Sequence, residues 1–247
     1  MTTLSAKGLR FERDGRMILD GIDFTVSSGE RLAVLGPSGS GKTSLLTMLA
    51  GLAEPSGGQI LVDDVVQEPV PRKGFGLVLQ GYGLVSLLTA SENVEAGLRA
   101  AGHAPSTVTA LAKQALLGVG LDGHEDALIE ELSGGQQQRV AVARAVALQP
   151  DVLLADEPTA EQDPVFRALV LSRLLEVADR GGVLVLATHD PEVAHRCTRT
   201  LHIRPESELP DVEPAAAADP PADPSTDRSA EPSADPFAER FDGRLDS

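Results

Sequence analysis

From Leu4 to Phe11, and again from Ile18 to Val26, apolar and polar residues alternate with the period of strands that bury one face. The two runs flank Arg13-Asp14-Gly15-Arg16, a turn-forming tetrapeptide, and together predict an antiparallel hairpin. The pattern then changes. Arg31 to Leu35 (RLAVL), Val152 to Ala155 and Val183 to Ala187 are short continuous apolar runs, as expected of parallel strands covered on both faces. A glycine-rich loop and a helix from about Lys42 to Leu49 come after the first of these. Gly57-Gly58 turns the chain into a strand over Gln59 to Val62, and Phe75 to Leu79 forms another that ends at Gln80. Residues from about 84 to 148 read as helix-rich, with Pro105 and several glycines as breaks. Strands alternating with helices imply an α/β domain with right-handed crossovers. The predicted architecture is an N-terminal antiparallel β subdomain on a mixed-sheet core, with a helical subdomain inserted at 84–148. No internal repeat is visible.

Composition separates this body, residues 1–204, from the C-terminal 43 positions. Pro205 to Ser247 carries eight of the seventeen prolines and a charge of −9 out of −16. It has few large apolar residues, too few to offset the entropy of ordering it, and reads as a disordered acidic Pro/Ala-rich tail. Two roles fit it: a solvated linker, or a partner-docking segment built on the terminal PFAERFDGRL. An acidic chain without clustered Lys and Arg excludes non-specific nucleic-acid binding. No stretch of about 18 apolar residues is present, and the N-terminus has no signal-peptide pattern, so a cytoplasmic protein is expected. The single cysteine, Cys197, reads as a plain thiol.

Three segments carry chemistry. Residues 36 to 43 read GPSGSGKT, with a strand before and a helix after, the setting of a phosphate-binding P-loop. Gly36, Pro37, Ser38, Gly39, Ser40, Gly41, Lys42, Thr43 and the adjoining Ser44 are its candidate contacts. Glycines let backbone N–H groups wrap phosphate oxygens, and the helix N-terminus adds its dipole. Lys42 is placed to reach the β- and γ-phosphates and Thr43 to ligate Mg²⁺. In VLLADEP an apolar strand ends in two acids: Asp156 suits Mg²⁺, and Glu157 a general base. His189 comes after the last apolar strand, where ligands gather in such sheets. His103, His124, His195 and His202 have no such setting and read as surface or packing residues.

Residues 132 to 139, LSGGQQQR, resemble the signature sequence of ABC transporter ATPases. The order GPSGSGKT, Gln80, LSGGQ, LLADEP, His189 is similar to that family across nearly residues 1 to 204. The resemblance implies ATP and Mg²⁺ as ligands, with Gln80 sensing the metal and attacking water and linking to a transmembrane permease. It implies that Ser133, Gly134, Gly135 and Gln136 close over ATP held by a second nucleotide-binding subunit, most simply an identical copy. The protein would then sit on the inner face of the cell membrane through its permease. LLADEPT and GLVLQGYGLVSLLTASENV are similar to the lipoprotein-release and macrolide-export type, although amino-acid importers share much of this pattern.

Two positions depart from the family's pattern. The D-loop usually reads Ser-Ala-Leu-Asp; here it is Ala160-Glu161-Gln162-Asp163, which bears on communication between two sites or on a non-identical partner. Arg13 stands where an aromatic usually stacks on adenine, so either its planar guanidinium stacks or Phe11 moves into place. Three functions remain open: a transport ATPase, a non-transport ABC ATPase, and a regulatory module of a membrane complex in which turnover is secondary. One P-loop and no coiled-coil insert argue against the second. Cargo and direction are not written in this chain.

Overall fold

The computed structural model describes residues 1–160 and 162–204. Glu161 and the acidic segment 205–247 lie outside the described residues, and with them the tail reading. The elements run β1 (Thr3–Arg13), β2 (Arg16–Ser27), β3 (Arg31–Leu35), α1 (Lys42–Leu49), β4 (Gly57–Val62), β5 (Val65–Val66), β6 (Phe75–Val78), α2 (Ala90–Ala100), α3 (Pro105–Gly118), α4 (Gly134–Ala147), β7 (Val152–Asp156), α5 (Pro164–Asp179), β8 (Val183–Thr188), α6 (Pro191–Ala194) and β9 (Arg199–His202).

The hairpin forms where the alternation places it. Arg13 pairs with Arg16, and Asp14 and Gly15 between them both have positive φ (53° and 76°), the conformation a two-residue turn requires. β1 then pairs with β4, and the antiparallel sheet has the order β2-β1-β4-β5. This is the expected antiparallel subdomain, and it forms a sheet of its own, which leaves the core sheet parallel rather than mixed. The second sheet, β6-β7-β8-β3-β9, is parallel at every pair. Every residue of β7 and β8 is buried. Alternate side chains explain the continuous apolar runs: Leu153, Ala155, Leu184 and Leu186 face one core cluster, and Val152, Leu154, Val183 and Val185 the other.

The first cluster covers the helical segment. α2, α3 and α4 pack on one another, and α4 also meets β6 and α5. Each start is chemically marked. Thr89 and Glu92 form a reciprocal capping box on α2, Pro105 opens α3, Ser133 and Gln136 box α4, and Asp163 caps α5 ahead of Pro164. The second cluster joins α1 (Leu45, Leu46, Leu49) to the inner face of the antiparallel sheet (Leu4, Leu9, Leu19).

The carboxyl ends of β3, β6, β7 and β8 thus lie along one edge of the parallel sheet, where open α/β sheets bind ligands. Leu154, central in β7 and fully buried, holds this edge in place. Leu154→Ala is expected to lower unfolding free energy by about 2–5 kcal/mol in urea titration, against a change within about 0.5 kcal/mol for Val165→Ala, whose side chain is exposed.

Candidate functional site

A cavity of about 400 Å³ opens at that edge, lined by Arg13, Ile18, Ser38, Gly39, Gly41, Lys42, Thr43, Ser44, Gln80, Asp156, Glu157, Ala160 and His189. The structure therefore brings together most of the residues singled out in sequence. Gly36, Pro37 and Ser40 support the loop from behind: the Ser40 hydroxyl is buried, and Ser40 N–H donates to the Pro37 carbonyl at 3.2 Å. The two glycine positions that matter most are Gly41 and Gly36. Gly41 has φ 92°, and a Cβ there would lie 2.9 Å from both Ile18 and Leu19 side chains. A Cβ on Gly36 would lie 2.5 Å from the Ser40 hydroxyl.

Lys42, largely buried, donates from Nζ to the carbonyls of Gly36 (2.9 Å) and Pro37 (3.1 Å) and lies 3.9 Å from Glu157 Oε1. Thr43 Oγ1 donates to Asp156 Oδ2 at 2.5 Å, joining the first turn of α1 to the end of β7. Burial pushes the Asp156 carboxyl above its ordinary value of 3.8; the Thr43 hydrogen bond lowers it, the Glu157 charge raises it, and Lys42 lowers it. Thr43 and Asp156 therefore present adjacent hard oxygen donors at a carboxylate short of positive charge, with Gln80 on the same cavity wall. This set fits Mg²⁺, which takes one or two protein oxygens and completes its shell with phosphates and water. Among the described residues no group of three or more His, Cys, Asp or Glu is placed to hold a metal, so a dedicated all-protein cage is not what the site offers.

Glu157 is held in a left-handed conformation (φ 45°), costly for a residue with a Cβ. Its N–H donates to the Ala187 carbonyl at 2.9 Å, and its own carbonyl accepts from Gln138 Nε2 at 2.8 Å. Its carboxylate meets His189 Nδ1 at 2.8 Å. The His189 ring is mostly exposed, so the pair faces the cavity mouth rather than the core.

Ser133, Gly134, Gly135 and Gln136 are not in this cavity. They form the first turn of α4, with Gln136 N–H on the Ser133 hydroxyl (3.3 Å) and Ser133 N–H on Gln136 Oε1 (2.8 Å). Arg13 lines the rim with its side chain 74% exposed and its Nε 3.7 Å from Asp14. Phe11 is packed against the core behind it, so the guanidinium and Ile18 are what the cavity offers a base.

Sequence reasoning missed several supports. Arg144 in α4 grips the segment after Gln80 through the carbonyls of Gly83 (2.6 Å) and Tyr82 (2.9 Å). Buried Asn93 pins Val85 through both its N–H and its carbonyl. Gln138 lies inside LSGGQQQR and Gln162 inside the D-loop, but nothing in their spacing shows which carbonyls they reach.

A P-loop, an acidic pair at a strand end and a histidine on one sheet edge define a P-loop ATPase. The chain matches the ABC transporter family over residues 19–160. It is 39% identical over 187 residues to the Fe(3+) ions import ATP-binding protein FbpC of Escherichia coli O157:H7, covering 74% of this chain and 54% of that protein. It is 37% identical over 194 residues to the spermidine/putrescine import ATP-binding protein PotA of Mycoplasma capricolum subsp. capricolum, covering 77% and 55%. The chain thus spans a little over half the length of these relatives. The dimeric structure of MJ0796, a bacterial ABC transporter cassette, superimposes with a TM-score of 0.75 at 28% identity, covering 81% of this chain and 94% of that one. The same agreement holds for its post-hydrolysis state bound to ADP and Pi. The chain belongs to the ABC transporter family, as an ATP-binding domain. No helix among the described residues is long and apolar enough to cross a membrane.

This geometry makes two outcomes testable. A folded-state carboxyl raised above its unfolded value adds stability below that value and loses it as pH rises through the raised one. Asp156→Asn removes the buried charge, so the nucleotide-free variant is expected to melt above wild type near about pH 8, with the gap closing toward about pH 4 in calorimetry. Arg13→Tyr supplies the missing aromatic face and is expected to tighten ATP binding several-fold by titration calorimetry; equal or weaker binding would contradict this.

Proposed function

We propose that this chain is the ATP-binding and ATP-hydrolysing subunit of an ABC transporter, energising a separate transmembrane permease through ATP-driven pairing of two copies. The observation that carries the reading is the split of phosphate-binding chemistry. The cavity holds the P-loop, Asp156, Glu157, His189 and Gln80, whereas the Ser133–Gln136 turn lies outside it. That turn is a helix start rich in backbone N–H groups, suited to an anion on a second copy. The dimeric state of the MJ0796 cassette supports such pairing.

The chain's own residues divide the work. The N–H groups of the P-loop and Lys42 bind the phosphates, with Lys42 exchanging its carbonyl partners Gly36 and Pro37 for phosphate oxygens. Thr43, Asp156 and Gln80 would hold Mg²⁺, which would supply positive charge to the phosphates. Glu157, aimed by its strained backbone and by His189, takes the proton of the attacking water. Gln80 comes after β6 and leads to the segment held by Arg144 and Asn93, a route by which the state of the site reaches a permease on the helical side. The names of the iron and polyamine relatives, both import ATP-binding proteins, favour import as the direction.

Glu157→Gln keeps the shape but not the base. It is expected to bind Mg-ATP, lose turnover by about 10²–10⁴-fold, and run as a two-subunit particle in light scattering. A variant that binds no nucleotide, or binds it and remains single even with its permease, contradicts the proposal. Wild-type turnover that stays undetectable with the permease present would instead support the regulatory reading.

A further inference from the structure

We propose that Gln162 is a positioning residue whose amide makes the first turn of α4 and the backbone of Glu157 move as one unit. The inference deepens the two-copy reading and rests on it.

The Gln162 side-chain amide spends both N–H groups inside its own subunit. One donates to the Gly135 carbonyl at 2.9 Å, the other to Gln138 Oε1 at 2.8 Å. Gln138 is 3% exposed and donates in turn to the Glu157 carbonyl at 2.8 Å. Both ends of this relay are backbone carbonyls, which only accept. Each amide must therefore present its nitrogen outward, and only one orientation of the two glutamines satisfies every contact. Flipping either amide sets oxygen against oxygen. Removing the Gln162 amide leaves Gln138 Oε1 without its donor and takes one side-chain donor from the Gly135 carbonyl, which Arg139 Nε approaches at 3.4 Å.

What the relay holds is not a relaxed segment. Glu157 sits at φ 45°, so its position depends on the bonds to its N–H and carbonyl. Gly135 belongs to the turn that would meet a second copy's nucleotide, and Glu157 carries the base of this copy's site. A displacement of that turn by phosphate therefore passes through two amides to the base. Far from an idle polar replacement in the D-loop, Gln162 is the side chain that joins the two functions.

The test uses full-length protein with Gln162→Met, similar in volume and without donors. Steady-state hydrolysis across ATP concentrations is expected to show kcat reduced roughly tenfold, KM within about twofold, and a Hill coefficient falling from above 1 in wild type to about 1. In a cycle with Gln138→Met, the double variant is expected to lose no more than the worse single one, because both interrupt one relay. If Gln162→Met does not fold by urea titration, Gln162→Glu at about pH 8 keeps the shape and removes the N–H groups; it is expected to show the same split. Wild-type kcat and Hill coefficient in the variants, additive losses, or a wild-type Hill coefficient of 1 overturn the inference. Pairing of Glu157→Gln with Mg-ATP is measured alongside. If it pairs while the Gln162 variants are unaffected, the inference fails and the two-copy reading stands; if it never pairs, the two-copy reading fails.

Discussion

The hydrogen bond from the Thr43 hydroxyl to the Asp156 carboxylate is the contact on which the rest of the site depends. It ties the first turn of α1 to the last residue of β7, two elements more than a hundred residues apart in sequence. Both arrive there because β7 is buried on both faces and has no freedom to slide: its alternate side chains belong to different core clusters. A charged residue at the end of such a strand is costly, and the raised Asp156 carboxyl records that cost. The site is thus a place where the core's order ends in a carboxylate that a cation would satisfy.

The helical segment contributes in a different way. α4 brings no side chain to the cavity, yet it supplies Arg144 to the segment after Gln80 and Gln138 to the carbonyl of Glu157. Its N-terminal turn is a capped helix start outside the cavity, and the same helix braces the backbone of Glu157. Arg139, on the next position, stacks on Phe166 at 3.6 Å and donates to the carbonyls of Val119 and Gly120. The start of α4 is therefore tied to α5, to the residues just after α3 and to the residue just after β7.

Much of the site was legible in sequence because it is built from local backbone chemistry. GPSGSGKT specifies a loop by its glycines, and positions 36 and 41 leave no room for a Cβ. The hairpin was legible for the same reason, since Asp14-Gly15 fixes a two-residue turn. The sheet that each later strand joins was not, because alternation shows that a strand buries one face without naming its neighbour. β4 could equally have joined either sheet until it paired with β1.

By itself, then, the sequence determined the hairpin, the core strands β3, β7 and β8, the phosphate loop, the acidic pair and the family, because each is set by residues close together in the chain, while β5, α5, α6 and β9 were not read from it. Only the tertiary structure decided what the polar side chains between the motifs reach. Gln162 and Gln138 became a relay, Arg144 and Asn93 became braces, and Phe11 was committed to the core, leaving Arg13 at the rim. The reason is physical. A hydrogen bond needs its donor within about 3 Å of an acceptor, and where a distant carbonyl lies is settled by how strands and helices pack, which no local pattern encodes.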